Sequence, residues 1–257
     1  MPIESYGVRH QNKVANNNDF LHESFKRKGF IIYPSKMKAM EMSRIEENFE
    51  KIRESYSQKY FQNKESNFSI RALFSFDKCF LNLARSKNLI KFLKLLFDGD
   101  FILNQQNGLI NSPNYKYNQA KWHRDLPYQH FISSKNIAVN VIYCIDQFTI
   151  ENGCSEVLPY SQLFEDFPSD KFVLKNYEPV IANAGDFIIL NAMTFHKGGI
   201  NKSSEDRRGI NTVYSIPFIR HQLDVTTMDY KFNLTESDKK FLGFQYASSK
   251  SIKSILL

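Results

Sequence analysis

Side chains able to bind a metal ion stand close together in 121-KWHRDLPYQH-130, where His123 and Asp125 lie two positions apart. His196 follows 73 residues later, directly after an apolar run. The pair alone is weak evidence, because such short pairs also arise by chance. Two neutral imidazoles and one carboxylate that leave three coordination positions open suit non-haem Fe(II) and oxygen chemistry. The sequence therefore predicts an iron site at His123, Asp125 and His196.

An arginine downstream fits the same chemistry. Such enzymes usually bind a keto-acid co-substrate, whose far carboxylate is best held by a planar guanidinium through two parallel hydrogen bonds. Arg207 follows His196 by 11 residues, and Arg208 stands beside it. Because side chains alternate along a strand, one of the two points inward, and we expect the other to form a surface salt bridge.

Hydrophobic periodicity predicts the elements that position these residues. Apolar side chains recur every three to five residues over 36–61, which predicts a long helix. A second helix is predicted over 80–97, with Gly99 as its left-handed cap. From there to about residue 217 the period becomes strand-like. Helices followed by a run of strands predict a mainly β fold with flanking helices, a sandwich or jelly roll.

The candidate strands also predict the direction of the ligands. They are 30–34, 101–106, 120–125, 136–145, 154–158, 178–182, 186–190 and 208–217. A strand over 120–125 would direct His123 and Asp125 to one face and Arg124 to the other. His196 would lie at the rim of a barrel strand, just before a Gly-Gly turn.

Length predicts a single domain, 1–257. Its expected parts are a flexible arm over 1–19, a helical buttress over 20–99, a β core over 100–217 and a C-terminal extension over 218–257, for which a lid and a cap are both open.

Composition and charge exclude several classes of protein. The chain is 42% hydrophobic and 14% aromatic, which argues against a disordered or fibrous protein. No run of 18 apolar residues occurs and the N-terminal residues are polar, so we expect a soluble cytoplasmic protein. Three cysteines without a C-x-x-C pair predict buried reduced thiols. The net charge of +7 favours an anionic partner, but scattered lysines argue against nucleic acid.

Four motifs follow one another in order: 122-WHRD-125, 152-NGCSEVLPYSQ-162, 185-GDFIIL-190, and 196-HKGGINKS-203 with the pair Arg207-Arg208. Together they resemble the signature of the phytanoyl-CoA dioxygenase family of Fe(II)/2-oxoglutarate-dependent oxygenases. They match its W-H-x-D, its N-G-C/P-L-x-V-x-P-G-S-H turn, its G-D block and its H-x-x-G-x-N-x-S motif. Tyr160 and Gln162 depart from the family's usual Gly and His. The resemblance covers roughly residues 20–217.

The resemblance implies a double-stranded β-helix, a jelly-roll or cupin-like core buttressed by N-terminal helices. It implies Fe(II) on His123, Asp125 and His196. It also implies that Arg207, rather than Arg208, binds the C5 carboxylate of 2-oxoglutarate.

Two further polar residues are candidates for co-substrate binding by the same resemblance. Gln106 fits a polar position that the family has on a strand upstream of the first histidine, and Asn104 on the same strand face competes with it. Asn140 interrupts the apolar strand and is expected either to face the co-substrate or to bond a neighbouring side chain.

The implied activity is that of a non-haem iron dioxygenase that uses O2 and 2-oxoglutarate, releases succinate and CO2, and hydroxylates a C–H bond of a small metabolite. Desaturation, ring closure and epimerisation stay open, whereas halogenation is disfavoured because Asp125 takes the position that a halide would need. The positive charge favours an anionic substrate. Tyr128, Gln129 and His130 are candidate substrate contacts.

Two alternatives belong to other classes. A jelly-roll protein that binds a small molecule without redox chemistry would keep the fold and form no succinate. A nucleic-acid demethylase would resemble a pattern with a second arginine six residues after the first, and this chain has Val213 there.

Overall fold

The computed structural model describes Tyr6, Val8 and residues 13–60, 69–115, 118–126 and 131–248. Helices in these residues are α1 (Asn17–Lys28), α2 (Ala39–Tyr60), α3 (Lys78–Ala84), α4 (Lys87–Leu96), α5 (Asp170–Asn176) and α6 (Glu236–Phe241). Strands are β1 (Phe30–Pro34), β2 (Ser69–Ile70), β3 (Ile102–Asn111), β4 (Ala138–Cys144), β5 (Ser155–Val157), β6 (Glu178–Val180), β7 (Asp186–Asn191), β8 (His196–Gly198) and β9 (Arg207–Ser215).

The strands form two antiparallel sheets. The larger has the order β1-β7-β4-β9-β3-β2, and the smaller has the order β6-β5-β8. Ile142 and Ile188 of the larger sheet share an apolar cluster with Val157 and Val180 of the smaller one. The predicted fold class, mainly β with a jelly-roll core and flanking helices, is therefore confirmed.

β4 shows why the larger sheet is covered on both faces. Its seven residues are all buried. Val139, Val141 and Tyr143 join the cluster that contains the helices, whereas Ile142 and Cys144 join the cluster between the sheets. Because side chains alternate, a strand with two covered faces has to be apolar along most of its length.

Helices pack on the outer face of the larger sheet. Phe49 of α2, Phe80 of α3 and Phe92 of α4 are fully buried there, against Ile189 and Tyr214 of the sheet. Burying each ring contributes about 2 kcal/mol to folding. The predicted long helix over 36–61 corresponds to α2, and its apolar stripe faces this core.

The second predicted helix, 80–97, is wrong as a single element. It is divided into α3 and α4, because Ser86 has an extended backbone from which a new helix starts. The second part ends at Leu96 with Phe97 as its C-terminal cap, so Gly99 does not cap it.

The N-terminal helix starts inside the predicted arm. α1 begins at Asn17 because Asn16 and Asp19 form a capping box. It ends at Gly29, whose φ of +83° favours glycine. A Cβ at that position would come within 2.3 Å of Thr194 Oγ1. This close approach seats α1 against the segment that leads to His196.

The segment 120–125 was predicted as a strand, and that prediction is wrong. Its pairing consists of an isolated bridge between His123 and His196. The short strands β2 and β8 were not predicted, because two or three residues carry too little periodicity to detect.

The described part of the C-terminal extension packs on the helical side of the larger sheet. Leu242 is fully buried in that cluster, and Phe241 and Phe244 pack against it. Asp238 of α6 forms ion pairs with Lys78 and Arg85. None of the helices in the described residues is long and apolar enough to span a membrane.

All three cysteines are buried and unpaired. Burial raises the pKa of the Cys79 thiol to about 12 and also raises the pKa values of Cys144 and Cys154. The prediction of buried thiols without disulfides is confirmed.

Candidate active site

Backbone pairing places the two histidines side by side. The His123 amide donates to the His196 carbonyl at 2.9 Å, and the His196 amide donates to the His123 carbonyl at 3.0 Å. Residues directly opposite each other in an antiparallel pair project to the same face. The ring centroids are accordingly 4.4 Å apart.

Asp125 completes a cluster of three potential metal ligands. Its amide donates to the Ala192 carbonyl at 3.1 Å, which holds the backbone beside the segment before His196. Asp125 Oδ2 lies 3.2 Å from His196 Nε2, and Oδ1 lies 3.7 Å from His123 Nε2. One ligand atom from each of these three residues lies within 4.8 Å of the others. The predicted ligands are thus brought together although their segment is not a strand.

Each histidine has its Nδ1 beside a backbone carbonyl. His123 Nδ1 lies 2.7 Å from the Lys121 carbonyl, and His196 Nδ1 lies 3.0 Å from the Thr194 carbonyl. A carbonyl only accepts, so each Nδ1 carries the proton and each Nε2 presents its lone pair to the centre of the cluster. Such partners fix ring orientation at metal sites.

The charges of the cluster suit a divalent cation. Burial lowers the pKa of His123, and so does the neighbouring His196. Burial alone would raise the pKa of Asp125, but the neighbouring His196 and His123 outweigh burial, so the pKa of this carboxylate is lowered. Burial also disfavours protonation of His196, but Asp125 outweighs it and raises that pKa. Metal binding needs the ionised carboxylate and neutral imidazoles, so a cation at this position would displace a proton from His196.

Arg124 anchors the segment between the two ligands. Its side chain is only 2% exposed and points away from them. It donates to the carbonyls of Ser161, at 2.9 Å, Phe164 and Glu165, at 3.3 Å. Its Cζ lies 3.9 Å from the centroid of the Phe195 ring, next to His196 in the chain. The guanidinium thus connects the His123 segment to the loop 161–165 through hydrogen bonds, and to the His196 segment through the ring of Phe195.

The ligands open into a cavity of about 300 Å³. Arg207, at the start of β9, also lines this cavity and is only 4% exposed. Its Cζ lies 4.0 Å from the centroid of the Phe148 ring, which supports the guanidinium from one side. The volume is at the small end of the range for ligand pockets.

Arg208 points out of the cavity. It forms ion pairs with Asp146 and Glu46, both at 2.6 Å, and with Glu50 at 2.9 Å. The Asp146 hydrogen bonds are the main cause of its raised pKa. The structure thus separates the two arginines as strand alternation predicted.

Asn140 lines the cavity, in agreement with the expectation that it faces the space for the co-substrate. Its Oδ1 is buried and accepts no hydrogen bond from any residue that the structure describes. The structure thus places this amide beside the cavity on β4, which pairs with β9, the strand that contains Arg207.

Gln106 does not lie in the cavity, which corrects the prediction that it binds the co-substrate. It is fully buried on the helical side, where its Nε2 donates to the Phe80 carbonyl at 3.0 Å and to Thr212 Oγ1 at 3.2 Å. The pairing of β3 with β9 is irregular between Leu103 and Gln105. Such a bulge exchanges the faces of all following residues. Asn104, at the bulge, bonds Ser215 and does not line the cavity either.

Sequence reasoning missed the polar residues that do line the cavity from this side. They are Arg71, Gln105, Asn107 and Asn211. Alternation along β3 could have found Gln105 and Asn107 only if the bulge had been known. The candidate contacts Tyr128, Gln129 and His130 lie outside the described residues.

Comparison with known proteins identifies the family. The model of the phytanoyl-CoA dioxygenase family, PhyH, matches residues 25–209. The chain belongs to the phytanoyl-CoA dioxygenase family. An uncharacterized protein of Mycobacterium tuberculosis is 26% identical over 162 residues, which cover 60% of this chain. The match spans 58% of that relative's length, less than two thirds of it.

Two solved structures share the fold with this member of the PhyH family. EctD from S. alaskensis, solved with 2-oxoglutarate and 5-hydroxyectoine, has a TM-score of 0.65 and 14% identity, over 80% of this chain and 79% of its own. The epimerase SnoN, in complex with Fe3+, alpha ketoglutarate and nogalamycin RO, has a TM-score of 0.61 and 18% identity, over 77% and 83%. At these identities the likeness establishes a common fold.

Proposed function

We propose that this member of the phytanoyl-CoA dioxygenase family is an Fe(II)- and 2-oxoglutarate-dependent dioxygenase that hydroxylates a C–H bond of a small metabolite. The observation that carries the proposal is the convergence of His123, Asp125 and His196 on a cavity that also contains Arg207. The complexes named for EctD and SnoN, with 2-oxoglutarate and with iron plus alpha ketoglutarate, support these co-reactants.

The donor set fits the proposed metal. His123 and His196 would bind Fe(II) through Nε2, since each Nδ1 faces a carbonyl, and Asp125 would bind through its carboxylate. Iron with 2-oxoglutarate supplies oxygen activation coupled to decarboxylation, with succinate and CO2 as products. The protein's part is to hold three ligands in fixed directions and to keep the substrate carbon close to them.

Arg207 fits the far carboxylate of 2-oxoglutarate. Its guanidinium is buried on the cavity wall, where a charge-assisted pair of hydrogen bonds is stronger than in water. Asn140, on the neighbouring strand, adds an amide that faces the same space. Hydroxylation is proposed over halogenation because Asp125 retains the carboxylate ligand.

The first test is anaerobic addition of Fe(II) and 2-oxoglutarate, followed by the visible metal-to-ligand charge-transfer band. We expect a band that needs both additions, disappears in His196→Ala and requires much more 2-oxoglutarate in Arg207→Ala. His22→Ala, a histidine of α1 that does not line the cavity, is the matched control and should leave the band unchanged.

Circular dichroism of every variant distinguishes loss of binding from loss of folding. No band in folded wild-type protein would contradict the proposal and favour a jelly-roll binding protein without redox chemistry. A band followed by succinate release without an added hydroxyl on any accepted substrate would retain the oxygenase and reject hydroxylation.

A further inference from the structure

Most residues that line the cavity beside His123, Asp125 and His196 have polar side chains, and apart from these three candidate ligands most of the polar ones are carboxamides. They are Gln105, Asn107, Asn111, Gln119, Asn140, Asn211 and Gln222. No Phe, Tyr or Trp side chain is found among the described residues that line it. Ligand pockets are usually lined by hydrophobic and aromatic groups, so this composition is informative about the ligand.

Strand pairing explains how the carboxamides come to share one surface. On the inner face of the larger sheet, Asn107 of β3 lies directly opposite Asn211 of β9. Gln105 and Asn140 flank the same β9 residue, Val213, from opposite sides. These four amides form a polar floor, which we define as Gln105, Asn107, Asn140 and Asn211.

Part of the polar floor lacks a partner within the protein. The Oδ1 atoms of Asn140 and Asn211 are buried and accept no hydrogen bond from the residues described. Leaving such an acceptor under an apolar group costs about 1–3 kcal/mol, roughly a tenfold to hundredfold loss in affinity. A substrate with hydroxyl or amide groups avoids this loss, because these groups donate and accept.

A second arginine lies at the edge of the polar floor. Arg71 directly follows β2, whose register places it beside Asn107 of β3. One orientation of the Asn107 amide puts its oxygen 3.3 Å from Arg71 Nη1, from which it accepts. The side chain of Arg71 is exposed and lines the cavity, so it can receive an anion from solvent.

Arg71 and Arg207 enter the cavity from well-separated backbone positions. Arg207 pairs with Asn111, whereas Arg71 lies beside Asn107, four residues away on β3. Four residues of a strand span about 13 Å. Since Arg207 is the buried cation and Arg71 the exposed one, the cavity offers one anion position at its wall and another towards solvent.

We infer that the substrate is a small metabolite with several hydroxyl or amide groups and one carboxylate or phosphate, which Arg71 binds while the polar floor contacts the remaining groups. This inference rests on the proposed function and names the substrate class of the same cavity. Long acyl chains and other largely apolar substrates should bind more weakly, because they would cover the unpartnered amide oxygens.

Anaerobic calorimetry on the protein loaded with Fe(II) and 2-oxoglutarate tests this inference. The probes are D-gluconate and D-glucose 6-phosphate, with D-glucose as the uncharged control and octanoate as the apolar anion. We expect one or both anionic polyols to bind, and the stronger of the two tells whether the anion is a carboxylate or a phosphate.

Variants assign that binding to the two parts of the site. Arg71→Gln should weaken the anionic polyol by about tenfold or more, the effect of losing a charge-assisted hydrogen bond. Asn211→Leu should weaken the binding of the polyol and strengthen the binding of octanoate. Arg44→Gln, at an exposed position of α2, is the matched control and should change neither affinity.

The charge-transfer band, recorded on each sample before titration, separates this inference from the proposed function. No band would count against the function itself. A normal band with no binding of either anionic polyol, or with octanoate binding that is insensitive to Arg71→Gln, would overturn the substrate class alone. A shift of the 2-oxoglutarate requirement in Arg71→Gln would assign Arg71 to the co-substrate and overturn the inference as well.

Discussion

Arg124 separates the two ligands of the W-H-x-D motif and shows how a residue that touches no ligand can determine the site. Its buried guanidinium donates to three backbone carbonyls and lies on the face of the Phe195 ring, and these contacts take the place of water. A buried cation requires such partners, because an uncompensated one is strongly destabilising. The directions of His123 and Asp125 therefore depend on a side chain that points the opposite way.

Replacing Arg124 with Leu should destabilise the fold and loosen the metal site. Three carbonyls lose a charged donor, which we expect to lower the free energy of unfolding by about 2–4 kcal/mol. Fe(II) affinity should fall as well, by tenfold or more, as for other groups that orient metal ligands. Urea denaturation and fluorescence of the single tryptophan, Trp122, measure the two effects. Arg124→Lys should retain only part of the stability and part of the Fe(II) affinity, because an ammonium group lacks the planar array of donors of a guanidinium. Wild-type values for both in Arg124→Lys would contradict this role of the guanidinium.

At the scale of elements, one irregularity in β3 decides which residues face the ligand. Leu103 before the bulge and Ile110 after it both face the helices, although they differ by an odd number of positions. Without the bulge, Gln106 would have faced the cavity, as the sequence suggested. A one-residue change of register exchanges every side chain between the two faces.

Two neighbouring substitutions test this exchange. Gln106→Ala should lower the free energy of unfolding by about 1–2 kcal/mol, because the Phe80 carbonyl and Thr212 lose a buried donor. It should leave the affinity for 2-oxoglutarate unchanged. Gln105→Ala should instead weaken the binding of the polyol probe and have little effect on the free energy of unfolding. Thermal unfolding and the same titrations measure both, and a loss of 2-oxoglutarate binding in Gln106→Ala would restore the original assignment.

The elements also show which features a sequence can predict. Long runs such as those of α2 and β4 have enough periodicity to be recognised. The ordered motifs were sufficient to single out three residues that the structure brings together, and to favour Arg207, which lines the same cavity. The bridge between His123 and His196 depends on pairing over 73 residues, which no local pattern contains. The bulge at Asn104 and the division of α3 from α4 are likewise tertiary effects that override local preference.

At the scale of the whole molecule, the C-terminal residues are fastened to the helical layer. Asp238 of α6 is nearly fully buried and bonds Thr235 in its own capping box. It also forms ion pairs with Lys78 and Arg85 of the α3 region. Burial disfavours this carboxylate, but its hydrogen bonds with Thr235 and the charge of Lys78 outweigh burial and lower its pKa.

This arrangement predicts a stability that depends on pH. Because the pKa of Asp238 is lower in the folded than in the unfolded state, its contribution is present above the ordinary value of 3.8 and is lost as pH falls through the folded pKa. Asp238→Asn should therefore cost about 2 kcal/mol near neutral pH and less at an acidic pH below 3.8. Urea denaturation at both pH values measures the difference, and an equal difference at both would contradict the role of its charge.

The buried cysteines have a consequence for a protein that would handle oxygen. Cys144 and Cys154 lie in the cluster between the sheets, together with Phe148, on which Arg207 rests. Oxidants attack the thiolate, and burial keeps these groups protonated at neutral pH. We therefore expect the thiols of the core beside the cavity to react slowly with oxidants.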